Sequence, residues 1–537
     1  MSVEPTAEMA APEERTPRQH QTTQLWTWFA ALAIAAGFIL ICGGRQDLGP
    51  IEARLGLAAR EAFGPLGINL GGWEPSLWPG PVGASQLWAW GEEGRPTSAS
   101  VRWPAAIAGL LTGLILAKRV MATLGLSASL FLMIGWSSSV ALIDRSAGTG
   151  LDLISGLAVV AALDRLLGRG SDWVAGVWAA LAFLCGGWPP LALIVMATIV
   201  LGRRGVGLTV GLLAPPILAA VAWSAWALNS MPAEAWAAAL TLPLTQKSRW
   251  LLPLGVMALG LPWSPFAALA ASRSVREGWP EPGRQFVFGW LQVAGACVLA
   301  GTVVPGLAVA AGVPALAGLV VVAAACCDQL WNRAVSASTR RWALGVSTTL
   351  ALIWVIAIVL GGIYLAAAVA YYRSLAILLI VLALPILVMA ARSVALADPR
   401  RGLVAMALVA ISLKLAHAGY YAPEWNYRRS QGPWGRAIGQ WIPPTWPLYV
   451  TYDLSPDLAF STGRTVRQLA SPKQLEFLKG DRPNHVLLLE AEFENWPSDA
   501  PELVKVARFH DEFDRIRILA RTEGEISRRI ARQTPAE

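Results

Sequence analysis

The sequence predicts an all-α polytopic membrane protein of about thirteen transmembrane helices, followed by a small C-terminal α/β domain outside the membrane. Three observations predict it. Apolar stretches long enough to cross a bilayer recur from Leu25 to His417, the polar gaps between them carry Arg/Lys pairs at every second gap, and beyond residue 417 the apolar runs shrink to strand length while charge density rises. Composition agrees, with 55% hydrophobic and 15% charged residues in a chain of 537 and a mean hydropathy of +0.49. No soluble domain of this size has that balance. The net charge of +8 does not indicate a nucleic-acid partner, because the basic residues are spread over loops instead of forming one patch.

Residues 1–23 are a polar leader, expected to be disordered and cytoplasmic. The run 25–43 follows with no small-residue cleavage signature, so it is read as a retained anchor. A hydrocarbon core about 30 Å thick needs about 20 apolar residues of helix. The runs 25–43, 206–228, 250–271, 286–304, 344–366 and 374–391 meet that length or come close. Shorter runs at 104–117, 122–143, 149–166, 173–186, 188–202, 308–327 and 402–417 complete the count. Residues 24–417 are thus the expected membrane body.

Topology follows from charge. With a cytoplasmic N-terminus, the cytoplasmic gaps hold Lys118/Arg119, Arg165/Arg169, Arg203/Arg204, Arg273/Arg276/Arg284, Arg333/Arg340/Arg341 and Arg392/Arg400/Arg401. The opposite gaps hold little beyond Arg145, Lys247, Arg249 and Arg373. The positive-inside rule and an odd number of spans then put residues 418–537 and the long loop 44–100 outside. In the tail, 447–453, 485–491, 503–509 and 514–520 read as strands, and 471–480 as a helix with Ser471 as N-cap, Pro472 at N1 and Gly480 as C-cap. Cys42, Cys185, Cys297, Cys326 and Cys327 all lie in or beside apolar runs, so each is read as a small buried hydrophobe. The four histidines show no metal-ligand spacing.

The loop 44–100 is longer than a connection requires, and long ordered loops are usually functional. Residues 49–64 have the pattern of an amphipathic helix lying on the outer membrane surface, with Glu52, Arg54, Arg60 and Glu61 among apolar residues. Residues 73–90 are rich in Trp, Pro and Gly, which suit the interface and break helices.

These residues carry a resemblance. Pro50-Ile51-Glu52-Ala53-Arg54 with Ala59-Arg60-Glu61 resembles the Pro-Asp-Glu-Ala-Arg … Ala-Arg-Glu-Met signature in the first outer loop of bacterial GT-C glycosyltransferases, in the branch of the aminoarabinose transferases and protein mannosyltransferase-like enzymes. In order, Val101-Arg102-Trp103-Pro104-Ala105 resembles the Arg-Leu-Pro-Ser that opens the second span, and Leu151-Asp152-Leu153 its Asp-Met-Leu. Ala182–Gly187 resembles its Ala-Phe-Leu-Thr-Lys-Gly, and Leu261-Pro262-Trp263-Ser264-Pro265 its Pro-Trp-Ser. Pro423-Glu424-Trp425-Asn426 to Ser430 matches the start of the outer tail, so the set covers most of the chain.

The resemblance implies a multi-pass protein of a bacterial inner membrane, with a polyprenyl-phosphate sugar as donor and an acceptor on the outer face that is a glycan, lipid or protein. Such transfer needs a carboxylate to take the acceptor's proton and cations for the leaving phosphate. Departures bear on activity: the position of the family's first-loop Asp is Ile51, Gly80-Pro81-Val82-Gly83 stands where Lys-Pro-Pro-Leu is expected, and Thr-Lys-Gly has become Cys185-Gly186-Gly187. Glu52 is then the surviving candidate for acceptor activation or for a divalent metal, with a solvated charge paired to Arg54 or Arg60 as the bland alternative. Asp47 lies about one helical turn earlier and is a further candidate catalytic acid, able to reach the same cavity if the loop folds differently. Asp152 is expected to face a cavity or a partner, since an acid in a span is costly. Arg60, Arg102 and Arg54 are the candidate phosphate cations, because a planar guanidinium donates two parallel hydrogen bonds. No cofactor is otherwise indicated.

Two rival classes remain at this stage. A secondary transporter would place charged or broken-helix sites near the midplane and often shows related halves. A catalytically silent relative would bind a lipid-linked glycan or scaffold a partner, as the loss of an acid at Ile51 suggests.

Overall fold

A computed structural model describes residues 32–37, 47–50, 52–53, 56–57, 97–143, 153–168, 170–202, 206–230, 250–332, 335–444, 446–452, 454–478, 483–510 and 515–522. The membrane body consists of α1 (Ser98–Leu124), α2 (Leu126–Ser137), α3 (Leu153–Leu167), α4 (Asp172–Gly186), α5 (Trp188–Val200), α6 (Val206–Ser230), α7 (Leu252–Leu259), α8 (Glu281–Val303), α9 (Ala308–Asn332), α10 (Ala337–Ala368), α11 (Arg373–Ala395) and α12 (Pro399–Ala416). Among the described residues six helices are long and apolar enough to cross a membrane, or seven if the bent pair Leu252–Leu259 and Ser264–Ala271 is one span. Helices such as α2, α4 and α5 coincide with expected runs but fall short of the length that one crossing needs.

Helix α9 is the axis of the bundle. Within its most apolar window 89% of residues are buried, against 28% for α10 and for the span that includes α11. Its sequence explains this: alanine, glycine, valine and cysteine dominate, and small residues let helix backbones approach closely. A Cβ on Gly318 would lie 2.5 Å from the Trp290 carbonyl oxygen of α8, so that helix contact tolerates no side chain. The outer helices instead expose Leu352, Ile353, Leu360, Val381 and Leu384, as lipid-facing surfaces do. The described cysteines Cys185, Cys297, Cys326 and Cys327 are buried, in keeping with small hydrophobes; Cys42 lies outside the described residues.

Two helix breaks meet inside the bundle. The chain bends by 109° between Leu252–Leu259 and Ser264–Ala271, and α2 stops at Ser137 before the one-turn helix Val140–Ile143. The Val140 N–H donates to the Leu261 carbonyl at 3.1 Å, and the Trp263 indole N–H donates to the Ser138 hydroxyl at 2.8 Å. Ser137, Ser138, Ser139 and Ser264 each donate to a nearby carbonyl. The breaks therefore sit in a dry, satisfied contact.

The last span runs further than its sequence suggests. It was expected to end at 417, yet helix continues through Arg429, with wide π-type turns at His417–Tyr421 and Trp425–Arg429. Pro423 lies between them, where its missing N–H is absorbed by the altered ladder. Helix α13 (Gly432–Gln440) follows at once, then β1 (Leu448–Val450), α14 (Pro456–Ser461), β2 (Val466–Gln468), β3 (His485–Leu489), β4 (Leu503–His510) and β5 (Ile516–Thr522).

The strands form one mixed sheet in the order β2-β1-β3-β5-β4. β1 pairs in parallel with β2 and β3, while β5 pairs antiparallel with β3 and β4. The four expected strands are present. β2 was not anticipated, because Val466-Arg467-Gln468 contains a single apolar residue. The expected helix at 471–480 shrinks to Gln474–Phe477; Ser471 contributes its carbonyl, which accepts the Gln474 N–H at 3.1 Å, instead of a side-chain cap.

The bundle has two distinct ends. Arg102 near the start of α1 lies at the end that joins the sheet, since it bonds to Asp47 and Asp47 bonds to Arg436. Arg119, about 25 Å further along the same helix axis, pairs with Asp164 near the end of α3 at 3.3 Å. Close by in the same region, the Gly283 position abuts Leu124 and the Gly278 position abuts Gln329. The basic positions Arg119, Arg165, Arg276 and Arg284 thus collect at the end remote from the sheet.

Candidate functional site at the sheet end of the bundle

Asp47 connects three parts of the chain. It is 7% exposed, and an acid so buried must be paired. Its Oδ1 accepts from Arg436 Nη1 at 2.7 Å and its Oδ2 from Arg436 Nη2 at 3.3 Å, a two-pronged guanidinium–carboxylate pair. The Ser430 hydroxyl adds a third bond to Oδ2 at 3.1 Å. Its backbone is used as well: the Asp47 N–H donates to Asn426 Oδ1 at 2.7 Å, and the Asp47 carbonyl accepts from Arg102 Nη2 at 2.7 Å.

Glu52 stands beside this knot. Its Oε2 accepts from Arg102 Nη2 at 2.9 Å and from the Gly49 N–H at 3.3 Å. Arg102 is 4% exposed, so its charge is balanced by Glu52 in a dry setting, while the Glu52 side chain keeps 18% exposure. The described part of 50–57 is helical, with the Ala53 N–H bonded to the Gly49 carbonyl at 2.9 Å, which brings Gly49 and Glu52 onto one turn. Arg54, Arg60, Ile51 and Asp152 lie outside the described residues. Of the six residues predicted, then, Asp47, Glu52 and Arg102 converge.

The C-terminal segment supplies the remainder. A Cβ on Gly432 would fall 2.6 Å from Asp47 Oδ2, so only glycine lets the chain pass the carboxylate. The Gly432 N–H donates to the Ser430 hydroxyl at 2.8 Å, aiming that hydroxyl at Asp47. One helical turn back, Glu424 pairs with Arg428 and bonds with the Tyr372 hydroxyl, and Tyr372 packs edge-on against Tyr420. His417 stacks on Tyr421 at 5.3 Å between ring centroids. Sequence reading missed Arg436 and Tyr372. Asn426 and Ser430 were within the matched stretch but had no assigned role; nothing in the sequence signals that Arg436 meets an acid 389 positions earlier.

Among the described residues no group of three or more His, Cys, Asp or Glu gathers as a metal site would. Chemically the cluster offers a cation that two oxygen acceptors share, Arg102, and an acid next to it, Glu52. An incoming phosphate could take the place of either acceptor on the guanidinium.

A comparison with protein families finds no match, and neither does one with curated proteins. Solved structures do match. ArnT from Cupriavidus metallidurans in the apo state is 18% identical with a TM-score of 0.64, over 93% of this chain and 98% of that one. The same protein bound to undecaprenyl phosphate is 17% identical with a TM-score of 0.62, over 95% and 98%. This chain therefore shares the fold of ArnT over nearly its whole length.

Proposed function

We propose that the protein is a membrane glycosyltransferase that moves a sugar from a polyprenyl-phosphate carrier to an acceptor on the outer face of a bacterial inner membrane. The observation that carries this reading is the Arg102–Glu52 pair, a buried cation and an acid held 2.9 Å apart at the sheet end of the bundle. The likeness to a structure that binds undecaprenyl phosphate supports the same donor class.

In this reading the donor phosphate takes Arg102 and releases Glu52. The acceptor oxygen forms a bond to the anomeric carbon, the bond from that carbon to the phosphate oxygen breaks, and the acceptor proton passes to the Glu52 carboxylate. The phosphate leaves with the bonding electron pair, its charge met by Arg102. Arg54 and Arg60 are assigned to the same phosphate, and Asp152, which precedes α3, is the second acid. Asp47 holds the backbone that Arg102 grips and is a positioning residue. The expected result is transfer of labelled sugar from a polyprenyl-phosphate donor in membranes containing the protein, lowered about 10²-fold by Glu52→Gln.

A second reading has its own support. The Asp47 carboxylate is fully engaged by Arg436 and Ser430, and Ile51 stands where the family's acid is expected. That pattern suits a silent relative that binds a lipid-linked glycan. Wild-type protein that binds donor yet transfers nothing would establish it. A transporter is disfavoured, since the paired helix breaks where such a protein binds its cargo are dry and their hydroxyls satisfied.

The collection of basic residues remote from the sheet supports a cytoplasmic N-terminus and a sheet domain, beginning after the helix that ends at Arg429, outside the cytoplasm. Reporter fusions after residue 420 are expected to be active only outside the cytoplasm. Cytoplasmic activity would reverse the topology.

A further inference from the structure

Helix α13 (Gly432–Gln440) begins three residues after the last span ends at Arg429, so it lies just past the point where that span ends. Its buried side is Gly432, Gly435, Ile438 and Gly439, packed toward α14. At 100° per residue Trp434 and Trp441 fall about 20° apart, flanking the buried side, and about 10 Å apart along the axis. They are 38% and 56% exposed, respectively. Tyr427, in the turn just before, is 82% exposed. Three arginines rim this strip: the side chains of Arg428 and Arg436 are 66% and 53% exposed, and Arg429 is exposed as well.

We propose that α13 docks onto the headgroup region of the bilayer through Trp434 and Trp441, with anionic lipid phosphates against Arg428 and Arg429. Three features select lipid over a protein partner. The strip follows closely on a membrane span, its large apolar groups are indoles, which favour the membrane–water boundary, and its rim exposes Arg429 beside Arg428, whose guanidinium also pairs with Glu424. Arg436 on the same helix holds Asp47 through its two-pronged pair, so the docking fixes the height of the C-terminal sheet and of the first-loop residues together. The proposal concerns membrane docking and stands whether or not sugar transfer occurs.

The test replaces Trp434, and separately Trp441, with p-benzoylphenylalanine in the full chain. Labels at Leu360, 64% exposed on α10, and at Phe477, 86% exposed in the sheet region, serve as references. After irradiation in nanodiscs containing phosphatidylglycerol, adducts are read by mass spectrometry. Phospholipid adducts at 434, 441 and 360 but not at 477 are expected. Adducts joining two copies of the chain, or no lipid adduct at 434 and 441 while 360 gives one, would overturn the proposal.

Discussion

Acids are held differently at the two ends of the bundle. At the sheet end Asp47 and Glu52 each face an arginine, one in a two-pronged pair and the other through a single shared nitrogen. At the opposite end Asp164 faces Arg119, whereas buried Asp328 is held by the neutral donors Ser127, Gln329 and Asn332. Neutral donors fasten helix ends and exchange for nothing. Arginine–carboxylate pairs can be exchanged for arginine–phosphate pairs; the sheet end holds two of them, Arg102–Glu52 and Arg436–Asp47, and the opposite end one, Arg119–Asp164.

Breaking the Asp47 knot gives the largest expected effect. Arg436→Ala strands a buried carboxylate and should cost about 3 kcal/mol, the low end for such pairs because Arg436 is half-exposed. Thermal unfolding in nanodiscs measures it. Asp47→Asn combined with Arg436→Gln should recover much of the loss, and full loss in the double variant would mean the pair is incidental.

A pH dependence of similar ceiling comes from the sheet. His485 on β3 is buried beside Trp446, and burial, aided by Arg521, pushes its imidazole down to about 4. The unfolded chain, with histidine near 6.5, therefore binds more protons between pH 6.5 and 4, and stability falls as pH is lowered through that window. The full loss is about 3 kcal/mol once both states are protonated. In His485→Phe this part of the acid dependence should disappear, read from unfolding curves at pH 7 and 4.5.

Gly432→Ala should cost about 1–3 kcal/mol, the range for overpacking, since its Cβ would meet Asp47 Oδ2 at 2.6 Å. The smallest effect is expected at the opposite end. Asp328→Asn keeps the oxygen that accepts from Ser127 and Asn332, loses the one that accepts from Gln329, and gives up the favourable charge near the start of α2, about 1 kcal/mol. A cost as large as that of Arg436→Ala would erase the contrast between the two ends.

Much of this was legible in sequence. The apolar runs locate helices because burial in lipid demands length and hydrophobicity, and strand-length apolar runs mark β1 and β3 to β5. Composition hides the rest. β2 is too short and polar to signal itself, and α2 and α7 break where Ser138 and Pro262 sit, which a hydropathy count reads as continuous spans. In the site, Glu52 and Arg102 carried motif signals, but their pairing is a tertiary fact. Arg436 had none, because its role depends on a contact across most of the chain.

Binding of undecaprenyl phosphate to the purified full chain, followed by native mass spectrometry, tests the role of the Arg102–Glu52 pair most directly. Wild type should hold one lipid, and Arg102→Gln should weaken binding about 10-fold or more, the equivalent of about 1.4 kcal/mol for a lost charged hydrogen bond. Binding that is absent in the wild type, or equal in the wild type and Arg102→Gln, would contradict the assignment of this site to a lipid phosphate.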